Sequence, residues 1–490
     1  MNRYLWLAAG LSLTGCVAVG PRYQEPDPSD LQSGYIYGDR DVFVNAALHN
    51  DRHWWEAYSD ERIAQAVRIA LENNRDLTAA AARLEAAEAR AGAARRALLP
   101  QGGTSFAITR QQQARAAFAG IFGPDTSEGE GPDSPVPDQG ATTPEFTTYQ
   151  AAAQASWEVD LFGRLRRQAQ SARAAAGEQE ALLADTQRLV SARTVDTFLL
   201  LVEALNRRDV AKRNLAAQER TLVLTEQLFE LGEVPKLNLL QQETLVRSTA
   251  AQVKQVEAGA AQATAALALL LGLTVPEMLA TFPGLVAEEG APPIPTAEEV
   301  LVLTEPAAVL RRRPDVAAAE RRLAAETYDI GIATAGLFPS ITLDGTASLI
   351  ALDFADLTDE QAFGYQAGPT ISWQILSYPR LLRERAAQRA EAAAALAAYE
   401  NAVLSALTET DEALALYTGA VAQARLLADA ERLALESLEL VEIRYREGED
   451  SLLALLDAQR TAFNVQDQAV QAKSAALRSR ASVHRVLADL

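Results

Sequence analysis

The sequence predicts a mainly α-helical fold with a membrane β-barrel, and three observations predict it. Two stretches of unbroken helical character, about 164–231 and about 380–447, each approach 70 residues. At ~1.5 Å per residue each extends on the order of 100 Å, more than an ordinary globular domain needs, which points to a coiled coil or helical tube. Two segment pairs alternate apolar and polar residues with the period of a strand. The chain also carries one unit twice.

The repeat is read from spacing. Gly232 and Gly448 lie 216 positions apart. At that offset Phe229 matches Tyr445, Glu233 matches Glu449, Leu239 matches Leu455 and Leu240 matches Leu456. Trp157 falls on Trp373, Phe162 on Tyr378, Arg164 on Arg380 and Arg167 on Arg383. Upstream the offset is 239, with Asp76 on Asp315 and Leu99-Pro100 on Phe338-Pro339. A single insertion in the first copy accounts for the change. It falls between Pro100 and Trp157, where residues 123–144 are rich in Gly, Pro, Ser, Asp and Thr and read as a solvent loop.

The chain divides as follows. Residues 1–15 carry a basic start at Arg3 and an apolar run from Tyr4 to Leu13, too short to span a bilayer, and read as a signal peptide. Leu13-Thr14-Gly15-Cys16 resembles the bacterial lipobox, which implies cleavage before Cys16 and acylation of that residue. Cys16 is the only cysteine, so no internal disulfide is possible. One acyl chain anchors only marginally, so several would be needed. Residues 16–59, with Pro21, Pro26 and Pro28, read as an extended lipidated tether. Residues 60–285 form the first copy. It starts with a helix over about 61–98 capped by Asp60, followed by strands at roughly 103–111 and 147–159. The long helix then turns at 232–235 and returns to about 271. A proline-rich break spans 272–297. Residues 286–490 hold the second copy: a helix over about 314–337, strands at roughly 340–350 and 363–376, the second long helix, a turn at 448–451 and a last helix.

The strands decide the environment. Phe363, Tyr365, Ala367, Pro369, Ile371, Trp373 and Ile375 share one parity; Gly364, Gln366, Gly368, Thr370, Ser372 and Gln374 share the other. Two hairpins flanked by very long helices have no soluble layer to cover them. Apolar-out, polar-in strands of this length suit a membrane barrel. A barrel has to close, because lipid cannot satisfy open edges. Four strands are too few to close around a channel, so several copies must pool theirs.

Composition excludes other classes. The 490 residues are 49% hydrophobic with a formal charge of −20, which argues against a nucleic-acid partner. His49, His53 and His484 are scattered, and no phosphate-cradling loop or metal-ligand cluster is present in the sequence. No enzyme activity, metal or cofactor is expected, apart from the covalent lipid on Cys16. An acidic lumen predicts mild cation selectivity.

Several ordered motifs carry a family resemblance: Trp54-Trp55 with Tyr58 and Asp60, Asn74 with Leu77, and Trp157-Glu158-Val159-Asp160-Leu161-Phe162-Gly163-Arg164. Arg311-Arg312-Arg313-Pro314-Asp315-Val316 with Glu320 continues it, then Gly331, Ala333, Phe338-Pro339-Ser340-Ile341 and Leu343. It ends with Arg444-Tyr445 through Gly448 to Leu455-Leu456-Asp457-Ala458-Gln459-Arg460. With these motifs the chain resembles the TolC-like outer-membrane efflux factors over nearly all its length after Cys16. The specific likeness is to the lipoprotein branch that serves resistance-nodulation-division pumps.

The resemblance implies a homotrimer in the outer membrane of a Gram-negative bacterium. Four strands from each chain would build one twelve-stranded barrel, continuous with a long α-helical barrel in the periplasm. It implies passive export of small molecules delivered by an inner-membrane pump through a periplasmic adaptor. The adaptor would dock at the tip, at Gly232, Glu233, Gly448 and Glu449. Leu453, Asp457 and Arg460 match the family's periplasmic gate. Tyr445 would latch toward Asn238 and Gln241 of the other hairpin. Ser377-Tyr378-Pro379-Arg380 departs from the family, which has glycine before the arginine. Two alternatives stay open: the exit duct of a type I protein secretion system, and a periplasmic coiled-coil lipoprotein without a channel. The exported substrate is not legible.

Overall fold

A computed structural model describes residues 18–26, 34–38, 42–46, 53–112, 145–287 and 290–488. The signal segment, Cys16 and the expected loop at 123–144 lie outside these residues. The chain forms two compact units.

Of the described residues, the first unit takes 18–22, 90–112, 145–172 and 326–391. Its centre is a four-stranded antiparallel sheet of β2 (Gln101–Gln112), β3 (Glu145–Val159), β5 (Ser340–Ala351) and β6 (Phe363–Ser372), in the order β2-β3-β5-β6. One row across it holds Phe106, Ala151, Leu349 and Phe363; another joins Trp157, Leu343 and Pro369. The other face carries Ser156 beside Asp344, with the serine hydroxyl donating to the carboxylate at 2.7 Å. The apolar face is uncovered: Tyr365 is 78% and Ile371 68% exposed. Among the described residues, strands β2 and β6 each pair on one side only.

The two hairpins share one register. Gln101 pairs with Ser156 in the first, and Ser340, offset by 239, pairs with Ser372, offset by 216, in the second. Both indoles do the same work. Trp157 Nε1 donates to the Leu98 carbonyl at 3.0 Å, and Trp373 Nε1 donates to the Leu337 carbonyl at 3.2 Å. Each satisfies a carbonyl two residues past the end of the preceding helix, which stops at Arg96 and at Ala335 respectively.

The exits from the hairpins differ. After β3, Gly163 takes φ +82° before helix α3 (Arg164–Glu230). A Cβ there would lie 2.5 Å from that of Ala18, whose neighbour Val19 donates its N–H to the Phe162 carbonyl at 3.0 Å. Pro379 holds the equivalent place and cannot adopt positive φ. Strand β6 accordingly stops at Ser372 rather than near 376, a short 3-10 turn covers Ile375–Ser377, and helix α8 (Tyr378–Arg446) starts two residues before Arg380.

Of the described residues, the second unit takes 23–26, 34–38, 42–46, 53–89, 173–287, 290–325 and 392–488. The helix expected over 61–98 is two: α1 (Glu61–Asn73) and α2 (Arg75–Arg96). Asn74 breaks it. Its carbonyl oxygen Oδ1 accepts from the N–H groups of Asp76 and Leu77, and its Nδ2 donates to the Leu270 carbonyl at 2.9 Å. Such a bonding pattern caps a new helix start. Helix α4 (Lys236–Leu270) follows α3, and the break after it contains α5 (Val275–Thr281), started by a Thr274–Glu277 capping box. The tether also gains structure. Strand β1 (Phe43–Ala46) pairs in parallel with β4 (Leu301–Thr304), and Trp54–Ala57 form a 3-10 turn. Trp54 is 1% exposed and stacks on His484 with ring centroids 5.0 Å apart. Around it Ile63, Val67, Phe198, Leu267 and Phe282 form the largest core. Each such side chain contributes ~1.5–3 kcal/mol by burial.

Helices α6 (Pro306–Arg312) and α7 (Pro314–Ala335) lead into β5, and α9 (Leu452–Val486) closes the chain. Among the described residues no single helix is long and apolar enough to cross a membrane.

Candidate functional site

The tip residues sit on two hairpin turns of matched geometry. Gly232 and Gly448 both have φ +78°. At the first turn the Gly232 N–H donates to the Phe229 carbonyl (3.0 Å) and the Glu233 N–H to the Leu228 carbonyl (2.9 Å). At the second, Gly448 donates to Tyr445 (3.1 Å) and Glu449 to Arg444 (2.9 Å). This pair of bonds is the Schellman motif, and it needs a left-handed residue that glycine supplies without a Cβ penalty. Gly232, Glu233, Gly448 and Glu449 are all exposed. Among the described residues, side-chain support is seen at the second turn. Ser451 Oγ accepts from the Ala454 N–H at 3.2 Å, and Arg444 pairs with Asp450 at 2.8 Å.

Helix α9 then presents two faces. Leu452, Leu455 and Ala462 are buried with Leu438 of α8, and Tyr445 packs against that cluster. Leu453, Asp457 and Arg460, at i, i+4 and i+7, share the opposite face. Leu453 is 68% exposed. Asp457 and Arg460 join at 2.6 Å, both side chains about two-thirds exposed. The structure therefore brings these three together on a face that the chain itself leaves uncovered.

The latch residues are not joined within one chain. Asn238 is half-buried and Gln241 exposed. The Tyr445 ring stays in the second hairpin, where burial pushes its phenol upward. What links the hairpins instead is a polar seam between α3 and α9. Gln459 Nε2 donates to Thr221 Oγ1 at 3.4 Å; Arg207 pairs with Asp467 and Arg478 with Asp196, each at 2.7 Å; Ser474 Oγ donates to the Leu199 carbonyl at 3.5 Å. Arg188, bound to Asp185, ends the seam by donating to the Arg485 carbonyl at 2.6 Å. Glu203 sits inside it, 3.8 Å from Arg478, and burial pushes its carboxyl above the usual value.

Sequence reasoning missed this seam. Its members recur along α3 and α9, but nothing in either helix alone says which helix it will face. It also left Arg313 without a role. That side chain is 1% exposed and ties Asp315 (2.5 Å) to Glu409 (3.0 Å), joining α7 to α8. Burial pushes the Asp315 carboxyl up, but the Arg313 guanidinium outweighs it and holds the carboxyl below its usual value. The signal was available as an arginine directly before Pro-Asp at a helix start.

Among the described residues no group of three or more His, Cys, Asp or Glu side chains is placed to hold a metal ion.

Known proteins share this arrangement. The pattern of the outer membrane efflux protein family matches residues 66–273 and 306–489. The pyoverdine export outer membrane protein OpmQ of Pseudomonas aeruginosa is 30% identical over 479 residues, covering 97% of this chain and 95% of the relative. The toluene efflux pump outer membrane protein TtgF of Pseudomonas putida is 29% identical over 478 residues, covering 95% and 92%. The solved outer-membrane channel OprN superposes with a TM-score of 0.81 at 30% identity, over 96% of this chain and 99% of that one. With the tandem hairpins, the uncovered strand face and a match across most of its length, the chain belongs to the outer membrane efflux protein family.

Proposed function

We propose that the chain is one of three identical staves of a passive exit duct. The observation that carries this is the four-stranded sheet, apolar and uncovered on one face, polar on the other, and open at both edges. Lipid can receive the apolar face, but it cannot satisfy the edges. Three copies close twelve strands, and the long helices form a tube on the periplasmic side. The duct takes small molecules that an energised inner-membrane pump delivers through a periplasmic adaptor, which docks on the turns at Gly232, Glu233, Gly448 and Glu449. The names of two relatives, pyoverdine and toluene, support a small-molecule cargo over a protein one. Acyl chains on Cys16 add an anchor.

The uncovered Leu453–Asp457–Arg460 face supports a gate. Turned to the threefold axis, it stacks a leucine ring, a carboxylate ring and a guanidinium ring. A carboxylate ring attracts cations and binds divalent ions. Tyr445 meets Asn238 and Gln241 only when hairpins of the assembled trimer come together at this closed tip.

Single-channel conductance in a planar bilayer tests the reading. Wild type should give a small, flickering current, blocked by divalent cations. Asp457→Ala should pass more current with weaker block. A protein that is monomeric and soluble without detergent would overturn the duct. Unchanged conductance and unchanged block would overturn the gate.

A further inference from the structure

The internal repeat carries more than the number of copies. In the sheet, β3 of the first copy pairs with β5, the opening strand of the second, so that Ala155 faces Gly345, Ala153 faces Ala347 and Tyr149 faces Ala351. The hairpin registers β2–β3 and β5–β6 coincide under offsets of 239 and 216. The repeat is thus a symmetry of the strand pairing as well as of the sequence. Under that symmetry β6 corresponds to β3, and β2 corresponds to β5. The β3–β5 seam therefore has an equivalent that one chain cannot make: its own β6 against β2 of a second copy.

From this we infer the register that closes the barrel. Ile371 lies opposite Phe106 of the neighbouring copy, Thr370 opposite its Ala107, Ser372 opposite its Ser105, Gly368 opposite its Thr109, Gln366 opposite its Gln111 and Tyr365 opposite its Gln112. The proposal rests on the trimeric duct reading and specifies its interface.

Three independent features of the two edges agree with this register. The antiparallel sense is right, because β2 and β6 are the outer strands of an even-numbered antiparallel sheet. Face parity is kept. Phe106 and Ile371 both belong to the apolar face, and Ser105, Ala107, Thr370 and Ser372 all belong to the other. A slip of one residue would turn every side chain of β6 to the wrong face. Burial is also matched. Phe106 is 55% and Ile371 68% exposed in one chain, and the register puts these two uncovered side chains beside each other. A slip of two residues keeps parity but breaks the repeat symmetry, so it is the alternative to test against.

The test is disulfide trapping in the full-length, membrane-extracted protein. The matched pair is Thr370→Cys with Ala107→Cys, small residues on the polar face. Directly opposite Cβ atoms lie ~4.5–5.5 Å apart, and diagonal neighbours ~7–8 Å. Adjacent pairs alternate between hydrogen-bonded and non-hydrogen-bonded geometry, so Ile371→Cys with Phe106→Cys is trapped in parallel. The slipped controls are Thr370→Cys with Thr109→Cys and Thr370→Cys with Ser105→Cys. Each single variant checks that Cys16 does not contribute.

At least one matched pair should give covalent trimer on a non-reducing gel at least about tenfold faster than either slipped pair. Faster trapping in a slipped pair, or none in any pair while the protein migrates as a native trimer, overturns the register and leaves the duct standing. A native monomer overturns both.

Discussion

At the turn ends of the two hairpins the backbone is the same and the side-chain interior is not. Ala434, Val441 and Ala458 pack against the leucine cluster of the second hairpin. Their equivalents in the first are Gln218, Thr225 and Gln242, all buried. Gln242 Nε2 donates to the Gln218 backbone carbonyl at 2.7 Å, and Thr225 donates back to Thr221 at 2.8 Å. The Oε1 atoms of Gln218 and Gln242 have no protein partner. A buried acceptor left unpaired costs ~1–3 kcal/mol, whereas burial of leucine is favourable throughout. Two copies of one unit are thus packed differently at their turn ends, and this difference should make them differ in stiffness. The hairpin that carries Leu453, Asp457 and Arg460 is zipped by leucine and supported at its turn by Ser451 and Arg444–Asp450. The other hairpin has, at the matching places, glycine geometry, a buried glutamine pair and Val246.

The largest effect should come from cutting the leucine zip. Leu455→Ala removes a side chain that is 5% exposed, and the expected loss is ~2–5 kcal/mol of local stability. Amide hydrogen exchange over 434–462 should speed accordingly. Its equivalent, Leu239→Ala, acts on a half-buried position and should cost less than half as much. Equal losses would erase the proposed contrast. The complementary change is Gln242→Leu, which removes an orphaned acceptor from the softer hairpin. Exchange over 214–246 should slow, corresponding to a gain of about 1 kcal/mol.

This contrast also marks how far the sequence could be read. The turns were legible because a left-handed residue at a helix end is a local requirement, and Gly232 and Gly448 announce it. The residues at 453, 457 and 460 came from the resemblance to the family's gate, and helical spacing, which is local too, put Leu453 and Asp457 on one face. The break at Asn74 was not, since Leu77 and Ala80 continue the apolar stripe across it and the decisive bond goes to Leu270. Strands β1 and β4 are four residues each and pair across more than half the chain, which periodicity cannot show. The seam between α3 and α9 depends on the order of helices in space, and an Arg–Asp pair at 207 and 467 has no signature in either helix alone.

That seam gives a pH-dependent way to sharpen the comparison. Burial raises the Glu203 carboxyl above its usual value, so the folded chain holds this proton more tightly than the unfolded one. The stabilising contribution is therefore complete below the ordinary carboxylate pKa and is lost as pH rises through the raised value. Glu203→Gln should be more stable than wild type at neutral pH. The difference should vanish in acid. Denaturant unfolding at both pH values measures it, and a variant less stable at neutral pH would show that the contact with Arg478 outweighs the burial.

The smallest expected effect on stability is at Asp457, and that is what makes it informative. An exposed i, i+3 pair is worth about 0.2–0.5 kcal/mol, so Asp457→Ala should leave exchange over 434–462 nearly unchanged. Leu455→Ala, two residues away on the buried face, should do the opposite. If Asp457→Ala raises conductance while Leu455 variants raise conductance only in proportion to their lost protection, the exposed face controls passage directly. If both track local stability alone, the carboxylate is a solvated helix residue and the tip closes by hairpin stiffness. Arg460→Ala separates the cases further. It removes the partner held at 2.6 Å and leaves Asp457 unpaired. A ring of freed carboxylates should tighten divalent block as Asp457→Ala loosens it, whereas a surface pair would give the same null result for both.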